Sequence, residues 1–389
     1  MRAATASPAA PGAGYAETHL GQANRGPEHH HRRRETGSSP RRRTNVIDQR
    51  TTCRCFVLAA ALASGCGGGG SSGQGTPSPP ASDNAARIAA AASTAQNSAR
   101  CTAIGAFYWE IGDSSGALAT GSVGTKSDGS AYKSTDLLNI ASASKWPFAA
   151  YVIQKYGDVA ANVPYLNFTS GYSNFDNSLC TPTQTVAQCN NGGINLAEAT
   201  AATFHYEGGH MQQLAAVGLG LGSAHLADLA SEVNQYIGSD VGLSYVEPQP
   251  PGGVRTSAAS YAVFLRKLLA GSTTPLQLGA LLNAHAVCTQ PSATCNASNE
   301  TAAKLPENFH YGLGHWIEDD PTNTPSSNFA YSSAGAFGFY PWVDVDRTLY
   351  GIVAQENQTG ETSGTGEGYS SLLCGRQIRL AWKTATAQP

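Results

Sequence analysis

The order of strand and helix signals along the chain constrains its fold more than any other feature of the sequence. Ile104 to Ile111 and Ala117 to Val123 read as strands flanking Gly112-Asp113-Ser114-Ser115-Gly116, a hairpin turn signature. Strand-like runs return at Phe309 to Glu318, Phe337 to Val345 and Thr348 to Gln355, before a closing helix near Ser370 to Trp382. The stretch between, about 160–285, is mostly helical with long loops. Within it, Ala258 to Leu269 puts Tyr261, Phe264, Leu265 and Leu268 on one helical face. A further helix is expected from Ser144 to Tyr156, closed by Gly157. Strands at both ends with helices between imply one antiparallel sheet assembled from both chain ends and flanked by helices. The expected class is α/β of the α+β type, with a helical subdomain inserted at about 155–285.

Residues 1–65 stand apart from this body. They carry ten Arg, no Lys and four acids; the whole chain has 24 basic and 27 acidic residues, so residues 66–389 hold 14 against 23, a net −9. Cys53-Arg54-Cys55 leads into the apolar run Phe56 to Ala63, then Ser64-Gly65-Cys66 and Gly67 to Gly70. A positive flank, a short apolar run and small residues before a cleavage point make a secretory signal. The run is too short for a membrane span, which needs ~20 residues. Ala63-Ser64-Gly65-Cys66 resembles a bacterial lipoprotein box, with Ala63 where Leu is usual. It implies lipidation of Cys66 and a periplasmic, membrane-anchored protein of the bacterial envelope; a plain signal peptide is the alternative. Residues 1–45, with His29-His30-His31 and Arg32-Arg33-Arg34, read as an over-extended start with initiation near Val46, in preference to a metal-binding tract or a nucleic-acid arm. Gly, Ser and Pro make residues 66–90 a flexible tether, although Ala85 to Ala99 is a candidate first helix. The body, 91–389, is expected to be one domain and a monomer.

Cysteine usage agrees with export. Beyond Cys66 stand Cys101, Cys180, Cys189, Cys288, Cys295 and Cys374, and six cysteines allow 15 pairings. Cys180 with Cys189 and Cys288 with Cys295 are close in sequence, which leaves Cys101 with Cys374; free buried thiols are the alternative.

The chemistry centres on Ile140-Ala141-Ser142-Ala143-Ser144-Lys145-Trp146-Pro147. Ser142 and Lys145, three apart at a helix start, share a face and can hydrogen-bond. A Ser hydroxyl needs an adjacent base, and a Lys amine can be that base where burial or a neighbouring cation lowers its pKa. The helix N-terminus adds backbone N–H groups for a developing oxyanion. Pro147 suits a first helical turn. Ser144 lies on another side of the helix. Taken alone, S-x-x-K is a weak motif, and Ser142 reads first as a helix cap.

Ile140-Ala141-Ser142-x-Ser144-Lys145 followed by an apolar helix resembles the S-x-x-K serine hydrolases: class C β-lactamases, D-alanyl-D-alanine carboxypeptidases, β-lactamase-like esterases and 6-aminohexanoate-dimer hydrolases. Phe204-His205-Tyr206-Glu207-Gly208-Gly209-His210-Met211 lies where that family has F-x-Y-x-N, so Tyr206 matches the second-motif Tyr. Pro251-Gly252-Gly253-Val254-Arg255-Thr256-Ser257, Tyr311-Gly312-Leu313-Gly314-His315-Trp316 and Ser332-Ser333-Ala334-Gly335-Ala336-Phe337 follow in family order, over about 100–385. The resemblance implies a β-lactamase/transpeptidase-like fold and an acyl-enzyme on Ser142, with Lys145 and Tyr206 exchanging protons with nucleophile and leaving group. It implies an oxyanion hole from the Ser142 N–H and one on a Gly335–Phe337 strand, with Ser333, Ala336, Gly208 and His210 along the pocket. A buried structural role is the alternative for Tyr206.

The departures bear on substrate. Gly208 replaces the second-motif Asn, and Ser333 stands where a Lys or His usually engages a substrate carboxylate; His310 and His315 are the remaining candidates for that charge. Such a site suits an ester or uncharged amide, with the lowered Lys145 pKa resting on desolvation. Loops such as 165–195 and 285–305 would shape the pockets. His205, Glu207 and His210 lack helical i, i+4 metal geometry, Glu318-Asp319-Asp320 reads as a solvated turn, and no basic-aromatic patch favours nucleic acid. No cofactor or metal is expected. The leading expectation is an exported serine hydrolase of small esters or amides. The alternatives are a weak or inactive lipoprotein of the same fold that binds peptidoglycan, and a true β-lactamase or D-Ala carboxypeptidase.

Overall fold

The computed structural model describes residues 81–197, 202–290, 305–357 and 366–389. The signal, Cys66 and Cys295, and with it the expected Cys288–Cys295 pair, lie outside the described residues. A helix already spans Ala81–Asn97, so the body begins about ten residues ahead of the expected boundary.

Eleven strands run in chain order among the described residues: β1 (Phe107–Asp113), β2 (Gly116–Val123), β3 (Leu138–Asn139), β4 (Ser244–Tyr245), β5 (Val254–Thr256), β6 (Val287–Cys288), β7 (His310–Gly312), β8 (His315–Glu318), β9 (Ala330–Ser332), β10 (Tyr340–Asp344) and β11 (Tyr350–Ala354). The main sheet has the order β2-β1-β11-β10-β9-β8-β7-β6, and each neighbouring pair is antiparallel. β1 from one end of the body lies beside β11 from the other, with Trp109 opposite Val353 and Ile111 opposite Gly351. The sheet is thus assembled from both chain ends. The run expected as one strand over 309–318 is instead the tight hairpin β7–β8, turned at Leu313-Gly314 with both residues at positive φ. A second small sheet, β3-β5-β4, lies in part within the inserted region, which is otherwise helical.

The Ala81–Asn97 and Gly366–Thr384 helices pack together, and the Cys101–Cys374 disulfide links the two ends of the body. Its 273-residue separation makes it worth about 6 kcal/mol in the chain-entropy treatment. The Ala258–Arg266 helix packs on β10 and β11. The Lys145–Tyr156 helix is buried on all sides from Lys145 to Ile153 and ends at Gly157, φ 78°, a left-handed residue that glycine adopts without strain.

The acidic run at 318–320 also departs from expectation. Glu318 is fully buried, not part of a solvated turn: it accepts from Arg379 at 3.0 Å and from the Tyr340 hydroxyl at 2.7 Å. Asp320, also buried, accepts from the Asn308 and Thr322 N–H groups. An acidic run at a strand end looks solvated in sequence because its partner, Arg379, is 61 residues away.

Candidate active site

Ser142 sits on a single 3₁₀ turn, Ala141–Ser144, that feeds directly into the Lys145–Tyr156 helix. Four contacts pin that turn. The Ile140 N–H donates to Val254 O at 3.1 Å, the Val254 N–H to Ser144 Oγ at 3.1 Å, the Tyr261 hydroxyl to Ala143 O at 2.8 Å, and Ser333 Oγ to Ser142 O at 3.2 Å. Ala141, immediately before the candidate nucleophile, has φ 43°, a strained conformation for a residue with a Cβ. The surrounding contacts over-determine the turn and hold that strain.

Lys145 Nζ donates to Ser142 Oγ at 2.8 Å and to Pro251 O at 3.1 Å. Lys145 is 5% exposed, and burial brings its pKa down to about 8, an effect that Glu207 partly opposes. Pro251 belongs to the β4–β5 connection. There the Gly253 N–H bonds Gln249 O and the Gly253 O accepts from Val246, a turn so tight that a Cβ on Gly253 would come within 2.3 Å of Glu247 O. Gly253 therefore lets the turn close so that the Pro251 carbonyl reaches the lysine.

Tyr206 stands on the same side, with Lys145 Nζ 5.2 Å from its ring centroid. Its ring stacks on Trp316 at 4.9 Å and meets Phe168 and Tyr311 edge-on at 5.4 and 5.8 Å. Burial pushes the phenol up to about 12, with the Ser142 hydroxyl and the Trp316 indole pulling part of that back. Tyr206 is thus a neutral phenol throughout the physiological range.

These groups open onto a cavity of about 710 Å³. Its wall includes Asn139, Ser142, Lys145, Tyr206, Glu207, Gly208, Ala336 and Phe337. The expected loop 165–195 contributes Phe175, Asn177, Ser178 and Cys180, held by the Cys180–Cys189 disulfide.

Several expected pocket residues lie elsewhere. His210 is fully buried behind the wall: Nδ1 meets Ser170 Oγ at 2.7 Å, Nε2 meets His205 O at 3.0 Å, and the ring stacks on Phe168. Burial presses its pKa down to about 3, so it supplies no charge. Ser333 is buried beneath the Ser142 turn and serves it structurally. Gly335 is not on a strand: residues 333–339 form the β9–β10 loop, where the Gly335 N–H is committed to Phe339 O at 2.8 Å. A Cβ at Gly335 would overlap Ile140 O, at 2.0 Å, so glycine is required for the loop to reach the Ser142 turn. Neither candidate for the missing cation reaches the cavity. His315 is buried between two carbonyls with its pKa lowered to about 4, and His310 pairs with Asp319.

Sequence reasoning missed Phe168, which supports Tyr206, and Glu247, which lines the cavity. It placed Tyr261 on a core helical face but not its hydroxyl on the Ser142 turn.

No family model matches the sequence, and no curated protein matches it. Solved structures do. The D-amino acid amidase from Ochrobactrum anthropi is 11% identical, with a TM-score of 0.52, over 78% of this chain and 99% of that one. The β-lactamase/D-alanine carboxypeptidase from Yersinia pestis is 12% identical, TM-score 0.51, over 70% and 93%. EstCE1, described as a hydrolase with promiscuous acyltransferase activity, is 12% identical, TM-score 0.54, over 77% and 98%. At such identities the likeness is one of fold, and the chain has the β-lactamase/transpeptidase-like fold that the ordered motifs implied.

Proposed function

We propose that the protein is a serine hydrolase that cleaves an ester or amide through an acyl-enzyme on Ser142. The observation that carries this reading is the 2.8 Å contact between Ser142 Oγ and a buried Lys145 amine, at the edge of an open cavity. With its pKa near 8, a useful fraction of Lys145 is neutral close to neutral pH and can take the Ser142 proton. Ser142 Oγ then bonds the carbonyl carbon. The oxyanion is received by the Ser142 N–H and by Ala336 or Phe337, since the Gly335 N–H is already committed. The Tyr206 phenol, protonated at working pH, hands a proton to the departing alcohol or amine and is resupplied from Lys145. Water, deprotonated by the same groups, releases the acid and restores Ser142.

The neighbours' names, an amidase, a carboxypeptidase and a hydrolase with acyltransferase activity, support ester or amide chemistry. Among the described residues the cavity wall has no Arg and no permanently charged Lys, which argues against substrates held by a carboxylate. Export to the bacterial envelope and lipid anchoring at Cys66 belong to the same proposal. The Cys101–Cys374 and Cys180–Cys189 disulfides support an oxidising compartment.

A fluorophosphonate probe tests the reaction: the protein is expected to label and Ser142→Ala to remain blank. Labelling that persists in Ser142→Ala, or none in either protein, overturns the hydrolase and leaves a binding protein of this fold. For the anchor, Cys66→Ser is expected to free the protein from membranes.

A further inference from the structure

Among the described residues, three charged side chains line the cavity: Lys145, Glu207 and Glu247. They come from three separate parts of the chain. Lys145 opens its helix, Glu207 follows Tyr206, and Glu247 lies in the β4–β5 connection. Lys145 is directed at Ser142 and Pro251, so it neutralises neither carboxylate through an ion pair. The carboxylates have neutral donors instead. Glu207 Oε2 accepts the Gly209 N–H at 2.7 Å, and Glu247 Oε2 accepts the Gln249 side-chain amide at 2.6 Å. A neutral donor satisfies a lone pair but leaves the charge uncompensated. Burial accordingly holds both carboxyls above the ordinary carboxylate range.

The opposite loop repeats the pattern. Ser333 occupies the place of a cation and its hydroxyl is spent on Ser142 O, while Ala336 and Phe337 present no charge. The cavity therefore offers a ligand two anionic side chains and one lysine that loses its proton near pH 8. The net −9 of residues 66–389 adds a weaker, longer-range attraction of the same sign.

We propose that this site selects substrates carrying a protonated amine, which Glu207 and Glu247 receive inside the cavity. The proposal rests on the serine-hydrolase reading and adds the charge of the substrate to it. An ammonium so placed gains charge-assisted hydrogen bonds and a direct ion pair, which neither carboxylate makes among the described residues. A substrate carboxylate meets repulsion from the same pair.

Matched isosteres test it. The butyrate esters of 2-(dimethylamino)ethanol, 3-methylbutanol and 3-hydroxypropanoate place ammonium, neutral and carboxylate ends on the alcohol. Ethyl esters of 4-(dimethylamino)butyrate, 5-methylhexanoate and glutarate place the same ends on the acyl chain. In at least one set, kcat/KM for the ammonium ester is expected to exceed the neutral one by roughly tenfold, the effect of one well-placed charged hydrogen bond. The carboxylate ester should be poorest. Glu207→Gln and Glu247→Gln should each lower the ammonium-to-neutral ratio several-fold, and Glu247→Lys should favour the carboxylate ester. Raising the salt concentration should erode the preference. Ser142-dependent turnover with no ammonium preference in either set overturns the inference and leaves the hydrolase standing. Absence of Ser142-dependent turnover fails the hydrolase, and calorimetric binding of the same esters to Ser142→Ala still decides: an ammonium preference supports the acidic cavity, and equal affinity overturns it.

Discussion

Arg379, in the C-terminal helix, and Lys145, beside Ser142, are both cations removed from water. Arg379 is given everything a guanidinium can use: Glu318 at 3.0 Å, the Tyr340 hydroxyl at 3.0 Å, both oxygens of Asn328, and the Trp342 ring 4.9 Å below its centre. Its proton is held more firmly than in water, chiefly because Tyr340 and Glu318 together outweigh the desolvation. Lys145 is given two neutral acceptors, Ser142 Oγ and Pro251 O, and its proton is held less firmly than in water. The same burial thus yields a firmly protonated strut where an anion is in contact and an amine that gives up its proton more easily where none is. The difference lies in the partner, and each cation can be removed to test its half of the contrast.

Lys145→Ala should show the largest effect. Removing a general base of this kind lowers kcat/KM by about 10³–10⁴, roughly 4–5 kcal/mol of transition-state stabilisation. The melting temperature should hold or rise, since a poorly compensated buried charge has gone. A fall in melting temperature matching the fall in activity would make Lys145 a strut and end the contrast. Arg379→Met reverses the pattern. It leaves the buried Glu318 only the Tyr340 hydroxyl and the more distant Arg376, 3.9 Å away, and is expected to cost about 3–5 kcal/mol in denaturant unfolding. Below the unfolding transition, fluorophosphonate labelling per folded molecule should be retained. A stable Arg379→Met, or one that folds but does not label, would break the comparison from the other side.

The sequence conveyed the two regions unequally. Ser142, Lys145 and Tyr206 were legible because S-x-x-K is local, and because the later segments recur in a fixed order that chance rarely produces. The sheet order was legible in outline for a similar reason: hairpin and strand signals depend on neighbours. The Arg379–Glu318 pair was not, because partners 61 residues apart leave no periodic trace, and a run of three acids looks solvated until its counter-ion is seen. His210 was misplaced because backbone direction, not spacing, decides which side of the Tyr206 segment faces the cavity. Glu247 was missed because it lies outside every motif and reaches the site only through the fold of the Gly252-Gly253 turn.

Titration tests the contrast without altering shape. The folded pKa of Lys145, about 8, lies below the ordinary lysine value of 10.5, so between these values the unfolded chain binds the additional proton. The stability that depends on this group is therefore complete above 10.5 and is lost as pH falls through about 8, a difference of roughly 3 kcal/mol. The difference in unfolding free energy between the protein and Lys145→Met, followed from pH 7 to 10.5, should show that slope. Activity should follow the same group, with kcat/KM rising about tenfold per unit toward pH 8 and then levelling. Tyr206, near 12, should add no descending limb below about pH 11. A pH-independent rate would show that Lys145 does not take the proton.

The smallest expected effect separates desolvation from the influence of Glu207. Burial is the main reason that the Lys145 pKa is low, and the Glu207 carboxylate acts against it by favouring the ammonium form. Glu207→Gln keeps the side chain's size and its capacity to accept from the Gly209 N–H, while removing the charge. The ammonium loses that support, so the midpoint of the pH–rate profile should move to lower pH. A shift of about half a unit, under 1 kcal/mol, is the scale for charges that interact without contact. The direction matters more than the size. A midpoint that moves upward would mean that Glu207 does not stabilise the ammonium, and that the rising limb belongs to some other group. An unmoved midpoint would assign the whole depression to burial, placing Lys145 still further from the paired condition of Arg379.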